Sequence, residues 1–210
     1  MAIITRAGKG APLTHDEMDA NWTQLNAAIV ALEALHGPGT WELIDSKDGA
    51  GLQLVDFLEG FDGSFSRLRL EYDNFGPFSA AADLWLQVWQ GAAVRSGLSD
   101  YEWVRNVLRV SSGTNLVVVD ADDSKIVLTL EPATQGAIFG EIDFLLPTLT
   151  TKRGFKWSSW EIDPVGSDQS ILTTGAGRFK GNNSAIDGIR LIAGSNVIEH
   201  GVFSLYGKRV

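Results

Sequence analysis

Two hydrophobic periods divide the chain. Between Thr14 and His36, Met18, Trp22, Leu25, Ile29 and Leu32 are spaced 4, 3, 4 and 3 residues apart, and Asp19, Asn21, Gln24, Asn26 and Glu33 fall outside that series. This is the a/d seam of a helix that packs along one face. From Thr40 onward the period is two, and turn residues recur at short intervals, the pattern of an all-β sandwich or barrel.

The helix is signalled at both ends. Thr14 is a cap residue with Glu17 three positions later, the pair of a capping box. Asp16, Glu17 and Asp19 place negative charge in the first turns, where the helix dipole favours it, and Gly37-Pro38-Gly39 ends the segment. A helix of this length is marginal alone in water, so its apolar stripe needs cover. The cover is either the chain's own β domain or copies of itself, and the position of the helix behind a Gly-Pro-Gly break favours a self-associated stalk over 14–37.

The period-two region predicts strands at 40–46 and 51–58, joined as a hairpin through Lys47-Asp48-Gly49. A strand over 64–73 slips near Ser66, as at a bulge, and 74–81 reads as a loop. In 83–90, Leu84, Leu86 and Val88 alternate with Asp83, Trp85, Gln87 and Trp89, so both faces carry something to bury. A surface loop over 91–100 leads to a strand at 101–110. Strands at 115–120 and 124–130 form a hairpin with an acidic tip, and those at 138–146 and 155–163 form another. A glycine-rich loop over 175–183, with Gly175 and Gly177 serving a turn, precedes strands at 186–193 and 197–207. Leu84, Leu86, Ile189, Leu191 and Leu205 are the expected interior, with Trp41 and Phe203.

Charge and composition narrow the function. A net charge of −9 over 210 residues disfavours a surface built to hold nucleic-acid phosphates. Without cysteine there are neither disulfides nor thiolate metal sites. No apolar run reaches the length of a membrane span, and MAIITRAGKGAPL lacks a signal-peptide core, so the expectation is a soluble protein that neither inserts into membranes nor leaves by a cleaved signal.

The stretch RAGKGAPLTHDEMDANWTQLN resembles the opening found near the N-termini of many tailed-bacteriophage tail fibre and tail tip proteins. The matching positions are Lys9, Gly10, Pro12, Leu13, Thr14, His15, Glu17, Asp19, Asn21, Trp22 and Leu25. The last third resembles the close of β-sandwich heads in phage tail proteins, at Ala185, Ile186, Ile189, Arg190, Leu191, Ile198, Gly201, Phe203, Leu205, Tyr206 and Gly207. It departs from that pattern at the Gly194-Ser195-Asn196 turn, where the small residues are reordered. The resemblance implies a homotrimeric virion protein, made in the host cytoplasm. Residues 1–13 would dock on tail tip or baseplate hub proteins through Arg6, Lys9, Gly10, Pro12 and Leu13. Residues 14–37 would form the trimerisation stalk through Met18, Trp22, Leu25, Ile29 and Leu32. Residues 40–210 would form a jelly-roll-like antiparallel β-sandwich head that binds a bacterial surface glycan or lipopolysaccharide.

The candidate receptor-binding residues are aromatic, since an indole covers the apolar face of a pyranose well. They are Trp85 and Trp89, Tyr101 and Trp103, and Trp157 and Trp160, with Arg95 and Asp100 as polar candidates in the adjoining loop. The same tryptophans also suit packing under a loop or against a neighbouring subunit. Two alternatives compete with the fibre: a tail-associated glycan hydrolase and a carbohydrate-binding module. Glu141 with Asp143, and Glu161 with Asp163, each share a strand face as an acid–base pair would, but paired carboxylates on a wet sheet are also an ordinary route to solubility. His200 beside Glu199 is an isolated imidazole. Asp120, Asp122 and Asp123 lack the spacing of a calcium loop and read as a solvated turn. The sequence therefore assigns no catalytic residue, metal or cofactor.

Overall fold

The computed structural model describes residues 14, 19–25, 27, 40–77, 83–110, 112–129, 137–145, 153–162, 170–181, 184–194 and 197–209. The chain divides into two compact units, Met1–Thr40 and Trp41–Val210.

In the first unit, residues 19–25 and 27 are helical. Thr23 Oγ1 donates to the Asp19 carbonyl at 2.9 Å, a back-bond one turn up the helix. Trp22 is 65% exposed and Leu25 42% exposed. Met18, Ile29 and Leu32 of the seam lie outside the described residues, as do Arg6, Lys9, Gly10, Pro12 and Leu13.

The second unit is an antiparallel β-sandwich. Its strands are β1 (Trp41–Asp48), β2 (Leu54–Phe57), β3 (Arg67–Pro77), β4 (Leu84–Gln90), β5 (Ala93–Val94), β6 (Tyr101–Arg109), β7 (Thr114–Asp123), β8 (Ile126–Val127), β9 (Ala137–Leu145), β10 (Gly154–Ile162), β11 (Ser170–Phe179), β12 (Gly188–Ala193) and β13 (Ile198–Lys208). The larger sheet runs β1-β13-β3-β9-β10-β11-β6-β7, and the smaller runs β2-β12-β4-β5 with β8 also on β4. The chain crosses between the sheets repeatedly, and its first and last strands pair, in the manner of a jelly roll.

One core fills the space between the sheets. Leu68, Leu70, Tyr72, Ile142, Phe144 and Phe203 of the larger sheet meet Phe57, Leu84, Leu86, Ile189 and Leu191 of the smaller. In β4 the alternation Leu84, Leu86, Val88 points inward, as the period predicts.

Two expected hairpins do not form. After Asp48 the chain leaves the larger sheet: β1 pairs with β13, whereas β2 pairs with β12 in the other sheet. The Asp48 carboxylate accepts from the Ala50 amide at 2.9 Å, so the Asp-Gly turn serves a sheet-to-sheet corner. Likewise β7 pairs with β6, and β8 crosses to β4. The pairing of β9 with β10 is the hairpin expected there. Residues 74–77 extend β3 past a register shift, with Asn74 at φ 52°, and were expected in a loop.

The glycine-rich stretch is a strand interior. Gly175 and Gly177 sit in β11, opposite Trp157 and Trp103 respectively. A Cβ at Gly175 would enter the Trp157 ring, and one at Gly177 would stand 2.9 Å from both Trp103 Cβ and the Glu102 carbonyl. Gly175 is there because the Trp157 indole occupies the space of a side chain, and Gly177 because the β6 backbone and the Trp103 Cβ do. Trp41, expected inside, lies at the start of β1, only partly buried, with the Arg69 guanidinium 4.9 Å from its ring centroid.

A short segment ties the sheets together. Leu128 donates its amide to the Leu84 carbonyl at 2.9 Å, and the Leu84 amide donates to Thr129 Oγ1 at 2.9 Å. From the larger sheet, Trp157 Nε1 and Ser159 Oγ donate to the Leu128 carbonyl at 3.1 and 3.3 Å, and Arg105 donates to the Thr129 carbonyl. Tyr101 adds a second tie: its hydroxyl accepts from the Val88 amide and donates to the Arg95 carbonyl, both at 2.9 Å. Burial pushes this phenol well above its ordinary value, so it stays protonated and able to donate.

Gly175→Ala is expected to destabilise the sandwich by about 1–3 kcal/mol through overpacking against Trp157. Chemical denaturation followed by tryptophan fluorescence measures this. A variant as stable as the wild type, with an unchanged emission maximum, contradicts the placement of that ring.

Candidate binding surface

The smaller sheet presents an aromatic and charged outer face. Because strand side chains alternate, burying Leu84, Leu86 and Val88 turns Trp85, Gln87 and Trp89 outward. Register then places Ile192 opposite Trp85 and Arg190 opposite Gln87 on β12, with Asp56 of β2 beyond Arg190. Arg190 grips Asp56 with both arms, at 2.7 and 2.6 Å, and Trp89 Nε1 donates to the same carboxylate at 3.0 Å. Burial raises the Asp56 pKa, but the hydrogen bonds from Arg190 and Trp89 outweigh it and hold the carboxyl below its ordinary value.

Each indole on this face carries a cation. The Arg190 guanidinium stands 4.8 Å from the Trp89 ring, and Lys125 Nζ 4.4 Å from that of Trp85. The two positions differ in how firmly the cation is held. Arg190 is fixed by a bidentate carboxylate, whereas the ammonium of Lys125 stands 3.8 Å from Asp123 on a flexible stem. Cation–π contact of this partly exposed kind is worth about 0.5–1 kcal/mol. Trp85, partly buried against the edge of the core, therefore has the more loosely held cation, and Trp89 is locked through Asp56.

The remaining aromatic candidates do not join this face. Tyr101, Trp103 and Trp157 are buried in the core, where alternation along β6 and β10 turns them inward. Trp103 Nε1 donates to Asp123 at 3.2 Å, and Trp157 and Tyr101 tie the sheets as described. No ligand reaches them without opening the sandwich. Trp160 points outward from β10, on the far side of the molecule's second unit, and is 49% exposed beside Phe139. Arg95 and Asp100 organise the 91–100 loop. The Arg95 amide donates to the Val88 carbonyl at 2.9 Å, and Asp100 Oδ2 accepts from the Gly97 amide at 2.7 Å.

The paired carboxylates are occupied. Glu141 and Asp143 do share the outer face of β9, and Arg69 bridges them, bidentate to Asp143 at 2.7 and 3.1 Å and 2.8 Å from Glu141. Lys156 stands 2.8 Å from the same Asp143. Burial raises the Asp143 pKa, but Arg69 and Lys156 outweigh that and hold it below its ordinary value of 3.8. A carboxyl so held stays ionised and is a poor general acid. Glu161 turns inward from β10, and Asp163 lies outside the described residues. Asp122 pairs with Lys180 at 2.6 Å, Asp120 accepts from the Asp122 amide at 3.1 Å, and no group of acidic or imidazole side chains among the described residues is arranged to hold a metal ion.

Lys125, Asp56 and Arg69 were not singled out from the sequence. Asp56 leaves a trace there, as a charge inside the apolar run LVDFL, but its partner on β12 is fixed by a long-range register.

No protein-family model matches the chain, and no curated protein does. Among solved structures, the infectious bursal disease virus VP2 subviral particle is 11% identical, with 82% of this chain and 36% of that one covered, at a TM-score of 0.11. A putative pore-forming toxin from Bacteroides vulgatus is 7% identical, with 83% of this chain and 57% of that one covered, at a TM-score of 0.08. The chain therefore spans little more than half, or less, of either neighbour, and likenesses at this level define neither fold nor function.

The Arg69–Asp143–Lys156 cluster has a pH signature. A depressed folded-state pKa contributes stability that is fully present above the unfolded value and is lost as pH falls through the folded one. Asp143→Asn is expected to cost about 2 kcal/mol at neutral pH and to show a shallower loss of stability below about pH 4 than the wild type. Urea titrations across acid pH test this, and an unchanged acid slope contradicts it.

Proposed function

We propose that the chain is a structural protein of a bacteriophage tail, a tail fibre or tail tip, and that its sandwich binds the host surface. The observation that carries this reading is the joining, in one chain, of the KG-x-PLTH opening at Lys9–His15 to a compact antiparallel sandwich over Trp41–Val210. The N-terminal segment docks on tail tip or baseplate hub proteins. The helix associates three chains, and its exposed Trp22 and Leu25 leave apolar surface for that contact. Three heads then act together, so weak contacts to a surface glycan or lipopolysaccharide sum to useful avidity.

Within the head, the outer face of β2, β12 and β4 is the contact surface this reading favours, with Trp85 as the stacking ring and Arg190 and Asp56 as fixed polar neighbours. The mechanism is adhesion, with no covalent step. Among the described residues no helix is long and apolar enough to cross a membrane.

The test is saturable binding of the labelled full chain to intact cells of a susceptible bacterium, with competition by its extracted lipopolysaccharide. Trp85→Ala is expected to weaken binding roughly tenfold. Binding to no strain of a broad panel, or equal binding by Trp85→Ala and wild type, overturns the corresponding part of the reading.

A further inference from the structure

The outer face of the larger sheet is divided. Over β3 and β9 it is charged, with Arg69, Glu141 and Asp143 locked to one another and to Lys156 of β10. Over β11, β6 and β7 it is not. Reading the register across these three strands, the outward positions are Ser170, Leu172, Thr174 and Ala176, then Leu108, Asn106 and Val104, then Asn115, Val117 and Val119. None is ionisable, in a chain where 20% of residues are charged. The charges that border it are Lys156 of β10, opposite Ala176 and held by Asp143, the Glu102–Arg178 ion pair beyond Val104 and Ala176, and Asp120 at the rim.

This area is also apolar and open. Phe139, Trp160, Leu108, Val104, Val117 and Val119 are between 37% and 70% exposed. Together they offer on the order of 600 Å² of apolar surface, at the upper end of what a monomer shows and approaching the roughly 800 Å² per partner of a standard interface. Beside Ala176, Val104 and Val119 lies a groove of about 490 Å³ that Glu102, Asp120 and Arg178 also line. At its margin β7 pairs on one side only among the described residues, and Thr114–Val119 contains neither charge nor proline, the features that commonly blunt an edge strand.

We infer that this face of β11, β6 and β7, with Trp160 of β10 at its margin, is the surface on which a second copy of the chain packs. Depletion of charge over an apolar centre is what marks the core of a protein interface. It also selects the partner. Two chains of net charge −9 repel wherever their acidic surfaces meet, and this uncharged area is where they approach without opposing like charges. A basic partner would instead be drawn to the acidic surface that this area lacks. The number of copies, three, rests on the proposed fibre reading; the contact itself rests on the face. It gives the head an interface of its own, additional to the helix.

The experiment is light scattering on the full chain over a range of concentrations, comparing wild type, Val117→Lys/Val119→Lys and Val202→Lys. Val202 is also open, 46% exposed on β13, and serves as the control for added charge. The expected result is an oligomer for wild type and Val202→Lys, and for the double variant a head-to-head dissociation constant at least about a hundredfold higher, seen as a lower mass at matched concentration. Hydrogen exchange on the wild type reads the same contact without mutation: amides of Asn115–Val119 gain protection as concentration rises. A wild-type oligomer whose mass the double variant leaves unchanged, with no concentration-dependent protection in β7, overturns this inference and leaves the helix as the assembling element. A wild-type monomer at every concentration overturns both the inference and the trimer.

Discussion

The peptide group of Leu128 belongs to both sheets. Its amide hydrogen goes to Leu84 of the smaller sheet, and its carbonyl receives Trp157 and Ser159 of the larger. An unpaired buried backbone group is costly, so the order of the segment and the closure of the sandwich stand or fall together. The consequences spread outward. Seating Trp157 under Leu128 requires Gly175 on the next strand, and holding Leu84 inward sets the phase of β4 and so turns Trp85 and Trp89 out. The aromatic outer face follows from a tie made inside the core.

This explains what could be read from the residues alone. Alternation gave the two sides of β4 correctly because Leu84, Leu86 and Val88 are aliphatic and differ sharply from their neighbours. The same rule fails to say where a tryptophan goes, since the indole is both large and polar-tipped. Trp157 and Trp103 were candidates for the surface and are core, while Trp41 was a candidate for the core and is only partly buried. The two lost hairpins have a related cause. Asp48-Gly49 and Ala121-Asp122-Asp123 do signal turns, but a turn signal is local, and whether the next strand pairs back or crosses over depends on partners as distant as β12 and β13. Gly175 and Gly177 read as a loop because the atoms that crowd them, the Trp157 ring and the Glu102–Trp103 segment, lie on other strands.

The candidate site was legible in part for the same reasons. Trp85 and Trp89 share a face because they are four residues apart in one strand, which sequence shows directly. The cations over them, Lys125 and Arg190, arrive from other strands and depend on register. The two outer faces of the sandwich are then chemically distinct. One is aromatic and charged; on the other, the outward positions of β11, β6 and β7 between Val104 and Ser170 are uncharged and in part apolar.

The proposed tail function is tested most directly by immunogold electron microscopy of virus particles purified from cells that produce this chain. Antibodies raised against residues 41–210 are expected to label the tail, at its tip or along a fibre and away from the point of attachment. Label confined to the capsid, or absent from the virion while the protein is abundant in infected cells, would contradict the account.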